Sequence, residues 1–277
     1  MNLFNDKLHS SFIQRKAIKI ISGINNFNVS QIFKIIYACE LSKATYLDVA
    51  ADPKIVSFIK SISSVPICVS SIDPVALYES VLAGADLVEI GNFDCFYANG
   101  IYFSSNQIIS IVKQVKYLLP YTDICVTIPH VLKLSEQIEL AQKLESVGIN
   151  FLQTEGSIEK KFTNKLIEAQ QLNDNILYST SMSCSALSSV YSISKAVNIP
   201  VIAASGINGI SAPVALSYGA SGIGIRSSLI KLGNILEMSN YIDELIFSTS
   251  QDLYDLGSID SVSITTSNLS LNKFKVI

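Results

Sequence analysis

The chain repeats one hydrophobic pattern: a short, mostly β-branched apolar run, then a longer segment whose apolar positions have helical spacing. Short apolar runs are typical of strands covered on both faces, and strands that alternate with helices indicate a parallel sheet. The strand candidates are Ala17–Ser22, Tyr46–Ala50, Pro66–Ser70, Leu87–Gly91, Ile124–Ile128, Phe151–Glu155, Pro200–Ser205 and Gly222–Arg226. Eight such units predict one (β/α)8 TIM barrel of the phosphate-binding type, a fold that takes roughly 250 residues.

The segments between the strands predict helices. They cover Ser30–Lys43, Pro53–Ser63, Pro74–Leu82, Asn106–Leu118, Ser135–Ser146, Thr163–Leu172, Ser185–Val197, Ala212–Ser217 and Tyr241–Ser248. Two of them follow Asp-Pro, at Asp52 and Asp73, and aspartate at the N-cap before proline is a strong start signal. A ninth apolar run, Ile176–Ser181, also has strand character. We assign it to an excursion between strands six and seven, because the last two strands carry better signals.

The chain divides into a polar leader at residues 1–16, the barrel at 17–248 and a Ser/Thr-rich tail at 249–277 that is flexible or serves as an interaction arm. The leader has no apolar core like that of a signal peptide. Although 49% of the residues are hydrophobic, no stretch reaches the ~20 consecutive apolar residues of a spanning helix, so a soluble protein without a membrane partner is expected. A homo-oligomer stays open.

Charge and cysteine usage narrow the classes of partner. The net charge is −3, and the 20 basic and 23 acidic residues are interspersed, so the sequence predicts no nucleic-acid partner. Five scattered cysteines without a CxxC spacing indicate a reducing compartment rather than a disulfide framework. Two distant histidines form no zinc site, and no Walker or Rossmann fingerprint is present. We therefore expect no metal and no cofactor, although a carboxylate-held magnesium ion stays open.

Small residues surround the last two predicted strands. Ser205 and Gly206 end strand seven, Gly224 lies in strand eight, and Arg226 and Ser227 follow it. Small residues let backbone N–H groups approach an anion, and phosphate sites of this fold commonly use the loops after strands seven and eight together with a short helix. The pattern predicts a phosphate site formed by these five residues. The alternative is that the glycines only permit tight packing and Arg226 points outward.

Three charged residues interrupt apolar strands. Lys19, Asp48 and Glu89 each lie near the third position of a strand, so matching registers would turn all three into the barrel. Buried charges must be paired, and a lysine between two carboxylates meets that requirement. Two interpretations stay open: a structural ion network, or a catalytic lysine whose pKa its neighbours set.

Polar residues at strand ends are further catalytic candidates, because active sites of this fold lie at the carboxyl ends of the strands. Glu155 ends strand six and is suited to hold a substrate hydroxyl or to act as a base, and His130 follows strand five. A lone histidine is more often a surface or capping residue. The aromatic stretch Phe93–Ser104 after strand four has the composition either of a lid or pocket wall, or of a loop packed over the barrel mouth.

Several of these segments together resemble a known plastid family, hypothetical chloroplast open reading frame twenty-three. The resemblance extends from about Lys16 to Leu232 and is weakest around Ile176–Ser185. It is carried by Lys19–Phe27, Asp48–Pro53, Gly84–Asp94, Val126–His130, Gln153–Gly156 and Ala204–Gly206. It implies a plastid-encoded protein of the chloroplast stroma and a TIM barrel of the phosphate-binding kind, but no particular reaction.

Three functions are compatible with these features. The first is an enzyme acting on a small phosphorylated metabolite, such as a lyase, isomerase or synthase. The second is a non-catalytic barrel that binds a phosphorylated metabolite and reports it to a partner. The third, a purely structural role, would require neither the phosphate corner nor the inward charges.

Overall fold

A computed structural model describes residues 3–97, 99–156 and 175–250 of the chain. Eight parallel strands pair in chain order and close into a barrel, because β8 returns to pair with β1. The strands are β1 (Ala17–Gly23), β2 (Tyr46–Ala50), β3 (Ile67–Ser71), β4 (Leu87–Ile90), β5 (Asp123–Ile128), β6 (Phe151–Thr154), β7 (Val201–Ala204) and β8 (Gly222–Ile225). The predicted barrel is confirmed, and each strand falls within two residues of its predicted limits.

Helices cover the outside of the barrel. They are α1 (Asp6–Ile13), α2 (Val29–Leu41), α3 (Pro53–Ile62), α4 (Pro74–Leu82), α5 (Asp94–Tyr97), α6 (Ser105–Leu118), α7 (Leu134–Val147), α8 (Asn175–Ile193), α9 (Ser211–Ser217), α10 (Ser227–Ile230) and α11 (Ile235–Ser250). Both Asp-Pro start signals are N-caps: Asp52 accepts from the Lys54 amide at 2.7 Å, and Asp73 accepts from the Val75 amide at 2.9 Å.

The excursion before β7 is helical. Ile176–Ser181 lies within α8, so it is no strand of the barrel, and this helix already covers the ten described residues before the predicted Ser185. An apolar run this short is compatible with a strand or with a buried helix, and periodicity alone does not decide between them. In the folded chain it is part of a helix. The helix predicted at Thr163–Leu172 and the tail from residue 251 onward lie outside the described residues.

The amino-terminal end of the barrel is closed by α1, which forms within the segment that composition marked only as a polar leader. Leu8 and Phe12 are buried there, and the Phe12 ring lies 5.0 Å from that of Phe151 and 6.3 Å from that of Tyr46. The Asp123 carboxylate accepts from the amide of Phe4 at 3.0 Å. An apolar floor therefore separates the lower end of the barrel from solvent, and polar chemistry is left to the opposite mouth.

Candidate functional site

Lys19, Asp48 and Glu89 meet inside the barrel, as the strand registers predicted. Lys19 Nζ lies 3.2 Å from Asp48 Oδ2 and donates hydrogen bonds to Glu89 Oε2 and, at 2.8 Å, to Gln153 Oε1. No more than 1% of any of the three charged residues is exposed. Removing such ions from water costs several kcal/mol each, which only close pairing and additional hydrogen bonds offset.

The additional hydrogen bonds come from neighbouring strands. Ser70 Oγ donates to Asp48 Oδ1 at 2.5 Å, and Thr127 Oγ1 donates to Glu89 Oε1 at 2.7 Å. The Gln153 amide joins the two halves of the network, because its oxygen accepts from Lys19 while its nitrogen donates to Glu89 Oε1 at 2.7 Å. Three of the four carboxylate oxygens in the cluster thus accept hydrogen bonds, whereas Asp48 Oδ2 has only the ion pair with Lys19.

The electrostatics of the cluster favour a charged lysine. Burial alone would lower the pKa of Lys19, but the carboxylates of Asp48 and Glu89 outweigh it and raise this pKa well above the ordinary value. Burial also raises the pKa of Asp48, against the opposing effect of the ammonium. Lys19 is thus an ammonium at neutral pH, suited to stabilise negative charge or donate a proton rather than to attack as an amine.

Asp48, Cys68 and Glu89 also bring three metal-ligating atoms within 4.8 Å of one another, a grouping that linear spacing did not reveal. The Lys19 ammonium already lies against both carboxylates of this group. A metal ion would have to displace that ammonium within a closed interior. This set of donor atoms, formed by residues that the structure describes, is therefore better suited to the lysine than to a metal ion.

A cavity of about 200 Å³ opens at the carboxyl ends of the strands. Thr127 and Gln153 belong both to its lining and to the buried network, so the cavity lies next to the Lys19 cluster. The lining residues are Ile21, Gly23, Ile24, Asn25, Asn92, Asp94, Cys95, Thr127, Gln153, Thr154, Glu155, Ala204, Ser205 and Arg226.

Glu155 connects three segments at the cavity wall. Its Oε1 accepts from the Asp94 amide at 2.8 Å, and its Oε2 accepts from the Tyr97 hydroxyl at 2.7 Å. His130 reaches the same oxygen through its amide at 3.2 Å and through Nδ1 at 2.9 Å. The structure thus joins the two predicted residues Glu155 and His130, and it gives Glu155 the additional task of fixing the loop after β4.

That loop is both packed and part of the pocket wall. Phe93 is fully buried and lies 5.1 Å from the Phe103 ring, whereas Asp94 and Cys95 line the cavity. Desolvation and the nearby charge of Glu155 raise the pKa of Asp94, although Asp94 is exposed to solvent. Asp94 is therefore an acid–base candidate that strand-end reasoning missed, since it lies four residues beyond β4, at the start of α5.

The predicted phosphate residues are only partly brought together. Arg226 and Ser205 line the cavity, and Ser205 has a left-handed φ of 79°. Gly206 packs against α8, where a Cβ would stand 2.0 Å from the Met182 carbonyl oxygen, and Gly224 packs inside the barrel against Ala204 and Ile21. These two glycines therefore match the packing interpretation.

The remaining predicted residue, Ser227, is exposed where α10 begins. Of the five predicted residues, Arg226 and Ser205 are thus the two that line the cavity. Gly23, the last residue of β1, and Asn25, in the turn after it, line the same cavity. Their signal in the sequence is a glycine and an asparagine directly after a strand, a common composition of loops that approach a ligand.

The fold is that of a TIM barrel, and the solved structures it resembles include three named for phosphate compounds. Geranylgeranylglyceryl phosphate synthase from Thermoplasma acidophilum, solved with sn-glycerol-1-phosphate, matches with a TM-score of 0.60 at 11% identity, over 90% of this chain and 98% of that chain. Orotidine 5'-phosphate decarboxylase from Pyrococcus horikoshii matches with a TM-score of 0.55 at 15% identity. The match covers 83% of this chain and 99% of that chain. Thiamine phosphate pyrophosphorylase from Pyrococcus furiosus matches with a TM-score of 0.53 at 15% identity. The match covers 85% of this chain and 98% of that chain. At these identities the likeness shows the fold alone.

The chain belongs to the family described as protein of unknown function DUF561, whose model matches residues 3–255. The relative "Uncharacterized protein ycf23" of Antithamnion sp. is 78% identical over the full length of both chains. The ycf23 protein of Porphyra purpurea is 41% identical over 87% of this chain and 88% of its own. The resemblance to the hypothetical chloroplast reading frame is thus confirmed, and because these relatives are plastid-encoded, the protein is a plastid one.

Among the helices within the described residues, none combines the length and apolar character needed to cross a membrane.

Proposed function

We propose that the protein is an enzyme that carries out acid–base chemistry on a small phosphorylated metabolite, as a lyase, isomerase or synthase. The observation that carries this proposal is the buried Lys19 ammonium, held by Asp48 and Glu89 directly beside a mouth cavity whose wall includes Arg226. Burying a charged side chain costs free energy, so its presence beside the cavity requires a reason. The active sites of this fold lie at the carboxyl ends of the strands, where the cavity opens.

In this proposal Arg226 and Ser205 hold the phosphate, and Lys19 stabilises the charge that develops on the reacting end. Gln153 contacts both Lys19 and the cavity, so a turn of its amide would give a bound ligand access to the ammonium. Asp48 and Glu89 keep Lys19 protonated. Glu155 and His130 position the loop that carries Asp94.

The second candidate is a barrel that binds a phosphorylated metabolite without turning it over. It is favoured by the burial of Lys19, which is only 1% exposed. This candidate shares the phosphate contacts of the first and requires no movement of Gln153.

The experiment that separates the two uses a panel of small phosphate monoesters with two readouts. Thermal shift measures binding, and ³¹P and ¹H NMR in D2O measure turnover or proton exchange. Arg226→Ala should abolish stabilisation by any active ester, whereas Lys231→Ala, the loss of an exposed cation outside the cavity wall, should preserve it. Binding that depends on Arg226 but gives no turnover would favour the second candidate, and stabilisation that Arg226→Ala leaves intact would sink both.

We further propose that the protein works in the stroma, as an extension of its plastid location, and that it forms a homo-oligomer. The oligomer is suggested by partly exposed apolar residues at four-residue spacing along α2, namely Val29, Phe33, Tyr37 and Leu41. Light scattering of the wild type and of Phe33→Lys measures it, and a wild-type monomer at all concentrations would contradict it.

A further inference from the structure

The two charged walls of the mouth cavity lie across from each other. Arg226 follows β8 and Gly23 ends β1, whereas Asp94 follows β4. In a closed barrel of eight strands in chain order, β8 and β1 lie opposite β4 and β5. A ligand that fills the cavity therefore meets the Arg226 guanidinium on one side and Asp94 on the other, whereas both carboxylate oxygens of Glu155 are occupied by hydrogen bonds within the protein.

The wall between these ends is mostly polar. Side-chain amides and hydroxyls come from six lining residues, Asn25, Asn92, Thr127, Gln153, Thr154 and Ser205. Most of these groups already make hydrogen bonds within the protein: Asn92, Thr127 and Gln153 donate to Glu89, and Thr154 and Ser205 donate to backbone carbonyls. A hydroxyl-rich ligand would use their remaining donors and acceptors, which an apolar ligand would leave unmatched at a cost in binding energy. A long hydrocarbon chain would therefore be a poor occupant, and a ligand rich in hydroxyl groups would be a good one.

The volume limits the size of the ligand. At about 200 Å³ the cavity is below the roughly 300–1,000 Å³ of pockets that take drug-sized ligands. A cavity of this size suits a short-chain phosphate ester better than a ligand that carries a nucleobase.

We propose that the cavity takes the phosphate monoester of a short polyhydroxylated chain, with its phosphate at Arg226 and its hydroxyls at Asp94 and the amide side chains. This inference rests on the proposed function and names its substrate class. Asp94 suits the second role, because its amide is fixed on Glu155 while its carboxylate lines the cavity and can accept from two hydroxyls.

The test is calorimetric titration of the full chain with matched esters. Glycerol 1-phosphate and n-propyl phosphate have the same carbon chain and differ only in the hydroxyls. We expect glycerol 1-phosphate to bind about tenfold more tightly, since each well-placed hydrogen bond contributes roughly that factor. Isopentenyl phosphate and adenosine monophosphate, which are too apolar or too large, should bind more weakly than glycerol 1-phosphate.

Two variants identify the residues. Asp94→Ala should reduce the preference for glycerol 1-phosphate to within about twofold and should not weaken the binding of n-propyl phosphate, because it removes a negative charge that acts on Arg226. Asp243→Ala, an exposed carboxylate on α11, should preserve the preference. Tighter binding of n-propyl, isopentenyl or adenosine phosphate would overturn the substrate class and leave the phosphate site standing. Failure of all four esters to bind would remove the proposed function itself, and this inference with it.

Discussion

The guanidinium of Arg226 lies against the backbone of Gly23, so closely that a Cβ on Gly23 would stand 2.7 Å from its Nη2 atom. Gly23 ends β1 with a φ of 116°, a conformation that side-chain-bearing residues rarely adopt. The contact links the first and last strands at the edge of the cavity, and it places the cation where the proposed phosphate would bind.

Gly23→Ala should therefore displace Arg226. We expect the affinity for a phosphate monoester to fall about as far as in Arg226→Ala, with a loss of roughly 1–3 kcal/mol in the free energy of unfolding from the strained φ. Calorimetric titration and urea denaturation measure the two effects. Gly100→Ala is the matched control, because Gly100 also has a positive φ, of 70°, but nothing lies within 4 Å of the position that its new methyl group would take. Equal ligand affinity in Gly23→Ala and the wild type would contradict the assignment of Arg226.

Lys19→Met should lower the free energy of unfolding by about 3–5 kcal/mol, the usual cost of breaking a buried ion pair by removing one partner. The reason is that Asp48 and Glu89 would then be left buried without their cation. Urea denaturation measures the loss. The double variant Lys19→Met with Glu89→Gln should recover part of it. If Lys19→Met were as stable as the wild type, the ion pairs of Lys19 would not contribute to the free energy of unfolding.

The pH dependence of stability tests the protonation state of Lys19. The pKa of Lys19 is raised in the folded chain, so its contribution is fully present below the unfolded value of roughly 10.5 and is lost as the pH rises through the folded value. The free-energy difference between the wild type and Lys19→Met with Glu89→Gln should thus be constant from about pH 7 to 9.5 and shrink above roughly 10.5. The buried thiols of Cys68 and Cys125 lie close enough to Lys19 and Glu89 for their pKa values to depend on both charges, so the comparison is made with both cysteines replaced by alanine in each protein. A difference that shrinks already near pH 8 would contradict the ammonium assignment.

Schiff-base chemistry tests the same assignment from another direction. Since the carboxylates keep Lys19 protonated and Gln153 covers it, a small phosphorylated aldehyde with borohydride should leave Lys19 unmodified at neutral pH. Peptide mass spectrometry after digestion gives the readout, with the exposed Lys231 as an internal control for reagent activity. An adduct on Lys19 would show that it forms a Schiff base and would turn the proposal towards covalent catalysis.

Much of the fold could be predicted from the local sequence pattern, because parallel strands that are covered on both faces consist of short apolar runs. Lys19, Asp48 and Glu89 could also be predicted to meet, since side chains alternate along strands and a buried charge requires partners. Asp94 could not be found in this way. It lies beyond its strand, and only the packing of Phe93 and the hydrogen bond to Glu155 bring it to the cavity. Gly206 and Gly224 show the reverse case, in which glycines typical of a ligand loop serve close packing.

The leader contained a further feature that composition did not reveal. Leu8 and Phe12 are apolar positions four residues apart on α1, and their helix covers the floor of the barrel. In a short polar stretch, two such residues carry too little periodicity to predict a buried helix. Only the aromatic rings of Tyr46 and Phe151, contributed by distant strands, give them a surface to cover.

Phe12→Ala should lower the free energy of unfolding by about 3–5 kcal/mol, because it removes a side chain that is 2% exposed and leaves a cavity between two rings that cannot collapse onto it. The matched control is Ile13→Ala on the same helix, where 61% of the residue is exposed and a change within about 0.5 kcal/mol is expected. Urea denaturation followed by far-UV circular dichroism compares the two. If both variants lost the same small amount of unfolding free energy, α1 would contribute little to the stability of the barrel. If only Phe12→Ala lowered the free energy of unfolding, the leader helix would be an integral part of the barrel. Shortening the chain at its amino terminus should then unfold the protein.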